Sequence, residues 1–178
     1  MKTRFPGSFF AILTCWVFIV SATVQAQPAR TGTNLNSKSM PSEVLMLQEP
    51  DEVERIRKLL MDGRKDTALT AAENYIAEVE RTTLRHETMK KYYAWNAYCT
   101  VLTSLQRVEE AVAACSTAMA FEPGKWSAVN NRGTAKFVGG RLEEALSDYR
   151  SALNMVSEEN ESVRTTIQHN IGLVEDRR

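Results

Sequence analysis

The chain lacks the residues on which most catalytic and metal-binding proteins depend. Of its 178 residues only His86 and His169 are histidine, and neither has a cysteine, histidine or carboxylate at metal-ligand spacing. No His-Glu-x-x-His, paired Cys-x-x-Cys, Gly-x-Ser-x-Gly or glycine-rich phosphate loop occurs. Catalysis, a bound metal and a cofactor are therefore not expected. Net charge is also missing, since 22 basic residues face 22 acidic ones. Without Lys2 and Arg4 the remainder is mildly acidic, which argues against nucleic-acid binding through phosphate contacts. Lys90-Lys91-Tyr92-Tyr93, the one basic and aromatic cluster, reads as an ordinary helix surface. No stretch longer than a few residues alternates with period two, so an all-α domain is expected.

A long hydrophobic run is absent too, apart from Phe9 to Val20. That run is shorter than the roughly 20 apolar residues a bilayer span needs. With Lys2 and Arg4 before it and Val24-Gln25-Ala26 after it, it has the layout of an export signal cut after Ala26. The alternatives are an uncleaved anchor or a lipoprotein acylated at Cys15. The second is disfavoured by Thr14 and by the apolar residues continuing to Val20. The expected product is periplasmic or secreted, with no stable membrane span after cleavage. Residues 27–48, with Pro28, Gly32, Pro41 and several Asn, Ser and Thr, read as a flexible linker. Val44-Leu45-Met46-Leu47 is its apolar exception, expected to dock on the first helix pair as an N-terminal flap, with docking on a partner as the alternative.

What the chain has is a period. Arg107-Val-Glu-Glu-Ala-Val112 returns 34 residues later as Arg141-Leu-Glu-Glu-Ala-Leu146. The same step pairs Trp95 with Val129, Cys99 with Gly133, Cys115 with Tyr149 and Ala118 with Ala152. A fixed period of this size means small units stacked so that each buries its apolar face on the next. Trp95, Ala111 and Pro123 in one copy, and Gly133, Ala145, Tyr149 and Ala152 in the other, resemble the tetratricopeptide repeat. Arg132 and Lys136 depart from it, standing where that family has Leu and Tyr. The resemblance implies a helix-turn-helix solenoid that acts as a protein interaction module.

Helical periodicity leads to the same fold independently. Val108, Ala111, Val112, Cys115, Ala118 and Met119 form one apolar stripe, and Leu142, Ala145, Leu146, Tyr149, Ala152, Leu153 and Val156 form the next. Asp62-Gly63 and Gly139-Gly140 supply turns within helix pairs, and Pro123-Gly124 closes the middle unit. The first turns of the later helices carry Glu109, Glu110, Glu143 and Glu144, whose charge suits the helix dipole rather than acid–base chemistry. Gly63-Arg64-x3-Ala68-Leu69 marks a fainter copy, offset by 43 residues from the middle one. A helix lengthened around Arg81–Lys91 is expected to absorb the excess. Units are thus expected over about 49–82, 92–125 and 126–159. A capping helix over about 162–177 follows, with Val163, Ile167, Ile171 and Val174 inward and Arg164, Asp176 and Arg177 outward.

Cys99 and Cys115 flank the turn near Gln106 at similar distances. In an oxidising compartment such a pair forms a disulfide if the helices bring the Cα atoms within about 7 Å. Alternatively both are packing residues, because the family pattern has a small residue at position 99 and an aromatic at 115.

The resemblance implies that ligands lie on the face lined by the first helix of each pair. Tyr93, Asn96 and Thr100 occupy that face in the middle unit, and Asn130, Asn131 and Thr134 in the next. Asn96 and Asn130 stand one period apart, and an amide carries both a donor and an acceptor for an extended peptide backbone. The basic clamp that some family members use for a C-terminal carboxylate has no counterpart in the sequence. The expected partner is a polypeptide. Self-association, or a small-ligand or enzymatic site, are the alternative readings.

Overall fold

The computed structural model describes residues 50–81 and 87–178. The expected signal at 1–26, the expected linker at 27–48 with Val44-Leu45-Met46-Leu47, and His86 lie outside the described residues. Seven helices are described: α1 (Asp51–Met61), α2 (Lys65–Glu80), α3 (Thr88–Ser104), α4 (Val108–Phe121), α5 (Trp126–Val138), α6 (Leu142–Met155) and α7 (Glu161–Glu175). No strand occurs among the described residues. Consecutive helices pack on one another throughout. In addition α1 packs on α3 and α3 on α5, with no comparable contact of α2 on α4 or of α4 on α6. Helices α1, α3 and α5 therefore share one side of the stack.

Three hairpin turns built to one plan create this arrangement. At each turn one residue is left-handed: Gly63 at φ 73°, Gln106 at 60° and Gly140 at 73°. The residue after it donates its N–H five positions back, Arg64 to Leu59, Arg107 to Leu102 and Arg141 to Lys136, at 2.9, 3.0 and 2.9 Å. The left-handed residue itself donates to Leu60, Thr103 or Phe137. These paired bonds satisfy the last carbonyls of the first helix. The same arginine then opens the next helix, its carbonyl accepting from Ala68, Ala111 or Ala145 at 2.9 Å each. The Gly-Arg-x3-Ala echo is thus the signature of this turn.

The irregular first unit corrects the expectation of one lengthened helix around Arg81–Lys91. Helix α2 ends at Glu80, and α3 starts only at Thr88. Part of the excess lies in the helices themselves. Helix α2 has 16 residues against 14 in α4, and α3 has 17 against 13 in α5. The rest falls between the two helices, where residues 82–86 lie outside the described residues.

Alanines bring the helices close. Ala68, Ala72, Ala94, Ala97, Ala111, Ala118, Ala128, Ala135, Ala145 and Ala152 are all fully buried. Helix α7 closes the last unit with Val163, Ile167 and Val174 buried against α6. Arg164 is not simply outward: its Nη1 donates to the carbonyls of Leu153 and Val156 at 3.3 and 3.0 Å, capping α6. Arg177 lies over the Phe137 ring, 4.2 Å from its centre.

Candidate functional site

Because α3, α5 and α7 follow one another along the stack, amides on them can meet. Asn131 Nδ2 donates to Asn96 Oδ1 at 3.0 Å, and Asn170 Nδ2 donates to Asn130 Oδ1 at 3.2 Å. A longer bond of 3.5 Å from Asn130 Nδ2 to Asn131 Oδ1 joins the two pairs. The result is a row of four amides crossing three helices. All four are buried, at 1% exposure or less. This corrects the sequence reading, in which Asn96, Asn130 and Asn131 lined an open face. Here their amides bind one another, because neighbouring helices bring them within reach and burial makes an unpaired amide costly.

Asn170 was missed in the sequence. Its signal was spacing, since Val163, Ile167, Asn170 and Val174 fall on one helical stripe, three and four apart, and all are buried. Its Oδ1 is buried and has no hydrogen-bond partner among the described residues.

The threonines also prove to be packed. Thr100 and Thr134 are buried and donate to the carbonyls of Asn96 and Asn130 one turn back, at 3.1 and 3.2 Å. Thr134 in addition receives the Tyr149 hydroxyl at 3.1 Å. Tyr93 is half-buried, packed beside the first unit's core and edge-to-face on Tyr92 at 5.4 Å. The structure thus gathers the asparagines into one row and leaves Tyr93, Thr100 and Thr134 as packing residues.

Lys90 pairs with Glu87, Lys91 with Glu80, and the buried Tyr92 hydroxyl with Ser127. The basic and aromatic cluster is therefore engaged within the fold. Burial pushes the Tyr92 phenol up to about 12. The glutamates of the repeated hexapeptide face arginines: Arg107 grips Glu110 and Arg141 grips Glu144, each through two nitrogens. Those guanidinium bonds hold both carboxyls below their ordinary value. Among the described residues no group of three His, Cys, Asp or Glu is placed to hold a metal ion.

Arg132 and Lys136, the departures from the family pattern, share one acid that the sequence reading overlooked. Asp148 on α6 is 4% exposed and receives Arg132 Nη2 and Nε at 2.7 and 2.9 Å, with Lys136 Nζ at 2.7 Å. Its hydrogen bonds raise the guanidinium further above its ordinary value. Cys99 and Cys115, both fully buried, are joined as a disulfide with their Cα atoms 5.2 Å apart.

No protein-family model matches the sequence, and no curated protein matches it significantly. Solved structures do match. The second tetratricopeptide domain of human RPAP3, determined by NMR with the HSP70 peptide SGPTIEEVD, is 19% identical. The match covers 70% of this chain and 92% of that one, with a TM-score of 0.52. The chain has the tetratricopeptide-repeat fold. The first tetratricopeptide domain of the same human protein is also 19% identical, over 71% of this chain and 94% of that one, at a TM-score of 0.48. In tetratricopeptide terms α1–α2, α3–α4 and α5–α6 are the three units, and α7 is the helix that caps them.

Proposed function

We propose that this chain is an exported, non-catalytic tetratricopeptide module that binds another polypeptide through the amide-bearing side of α3, α5 and α7. The observation that carries this reading is the row Asn96–Asn131–Asn130–Asn170, which ends in Asn170 Oδ1, an acceptor with no partner among the described residues. Amides hold a peptide backbone without reading its side chains, since each offers a donor and an acceptor. Because the row is buried, a peptide reaches it only where the helices part, and its backbone then takes over the hydrogen bonds the amides make to one another. The RPAP3 domain, solved with a peptide, is a precedent for the fold in this role. Export is supported by the layout of residues 1–26 and by the bridged cysteines, a bond that persists in oxidising compartments.

The test is crosslinking capture from the native envelope with the wild type, the Asn96→Ala/Asn130→Ala pair and Asn170→Leu. A polypeptide captured by the wild type is expected to be lost with both variants. Because Asn96 and Asn130 are buried, that pair also lowers stability, so circular dichroism must accompany it. Asn170→Leu removes both the Oδ1 acceptor and the Nδ2 bond to Asn130, so its stability is followed by circular dichroism as well. Capture unchanged in both variants would exclude this face.

A further inference from the structure

Cys99 and Cys115 occupy the positions that Gly133 and Tyr149 occupy one period later. In the later unit these form a contact between a small residue and an aromatic one. A Cβ added at Gly133 would meet Tyr149 Cδ1 and Cε1 at 3.0 Å, so the ring comes directly against a glycine. The Tyr149 hydroxyl ends on Thr134 Oγ1, and Thr134 is anchored on the carbonyl of Asn130. The middle unit repeats the frame without the ring. Thr100 is anchored on the carbonyl of Asn96 in the same way, and is equally buried. Where the ring would stand, two sulfurs join α3 to α4.

We propose that the Cys99–Cys115 bond replaces the missing aromatic contact of the middle unit and so makes the packing of α3 on α4 conditional on oxidation. Two unbonded sulfurs must stand farther apart than bonded ones, so reduction removes the covalent tie and also forces the closely packed α3 and α4 to repack. Formation and loss balance as thiol–disulfide exchange. A thiolate of one cysteine attacks the disulfide of an oxidant. The second thiolate then attacks the mixed disulfide and displaces the oxidant's remaining sulfur, and the oxidant leaves as a dithiol carrying the two electrons and the two thiol protons. A dithiol reductant reverses both steps. Both cysteines are fully buried, so exchange needs the helix pair to open, and the bond once made is protected. Such a chain stays loose in a reducing compartment and locks only where disulfides form.

Helix α3 carries Asn96, one end of the amide row. If the binding proposal above holds, the lock also confines binding to the oxidised form. The lock itself is read from stability and needs no ligand.

The test uses the wild type refolded with and without dithiothreitol, the Cys99→Ser/Cys115→Ser pair and the Cys99→Gly/Cys115→Tyr pair. The last copies the neighbouring unit and gives the new hydroxyl Thr100 as its partner. Reduction and the serine pair are each expected to lower Tm by roughly 10 °C, the effect of opening a cross-link of this loop length. Faster amide exchange should concentrate in α3 and α4. The glycine–tyrosine pair is expected to recover at least half of the loss and to ignore dithiothreitol. Three results each overturn the proposal: two free thiols in the denatured, non-reduced wild type; a reduced Tm within about 2 °C of the oxidised one; or a glycine–tyrosine pair no more stable than the serine pair. A serine pair too unstable to fold agrees with the proposal, and the glycine–tyrosine pair still decides it.

Discussion

The three hairpin turns offer a measurement within one molecule. Gly63, Gln106 and Gly140 have the same backbone role, yet only Gln106 carries a side chain at positive φ. Space is not the issue, because a Cβ built at Gly63 or Gly140 meets nothing within 4 Å. The cost is therefore conformational, about 1 kcal/mol for holding an L-residue left-handed. Gln106→Gly removes it but gives the unfolded chain more freedom, leaving a net gain of about 0.5 kcal/mol. Gly140→Ala runs the other way and costs about 1 kcal/mol. For a folded part of about 130 residues, an unfolding entropy of about 2.1 cal/mol/K per residue makes 1 kcal/mol worth about 4 °C. The expected changes are thus a rise of about 2 °C for Gln106→Gly and a fall of about 4 °C for Gly140→Ala. Calorimetry with the disulfide intact would measure both. A lower Tm for Gln106→Gly, or an unchanged one for Gly140→Ala, would refute the common plan assigned to these turns.

Other expectations follow from buried groups. Asp148→Ala leaves Arg132 and Lys136 without their shared acid in a half-buried setting, and urea titration should show a loss of about 3 kcal/mol. A loss below about 1 kcal/mol would mean that water already screens the cluster. Gly133→Ala drives a methyl into the Tyr149 ring and is expected to cost about 1–2 kcal/mol in the same titration. No change there would remove the close approach on which the cysteine comparison depends. Burial pushes the phenols of Tyr75 and Tyr92 up to about 12 and raises that of Tyr149 as well. A phenol raised in the folded state contributes stability in full below about pH 10, the unfolded value, and loses it as pH rises toward 12. Tyrosine absorbance at alkaline pH should therefore rise together with helix loss, and full ionisation near pH 10 with the helices intact would contradict the burial.

The fold was legible because it is written in spacing. The hexapeptide echo, the alanines and the glycine turns each report a local constraint that recurs whenever the same hairpin is built. Asn96 and Asn130 were picked out by the same period, but their burial was not legible. Period says which residues are equivalent, whereas burial depends on what comes to lie beside them in space. Asn170 shows the difference, since its nearest row partner is 40 residues away and on the capping helix. Asp148 was hidden for a similar reason: on α6 it reads as a surface carboxylate until α5 sets Arg132 and Lys136 opposite it.

The departures from the repeat pattern share a logic that one helix alone does not reveal. Arg132 and Lys136 replace apolar family residues on α5, and Asp148 answers them from α6. Cys99 keeps the small-residue site on α3 while Cys115 gives up the aromatic site on α4, and the two restore the contact as a bond. Each irregularity is matched on the facing helix of the same unit, with which it shares a packed seam. Gln106 has no such neighbour. It sits at an exposed turn, where strain is small enough to persist uncorrected. A weak copy of this repeat is therefore better judged as a helix pair than as a string. A mismatch answered across the pair keeps the fold, and chemistry follows from what the answering pair is made of: an ion cluster in the last unit, an oxidisable bond in the middle one.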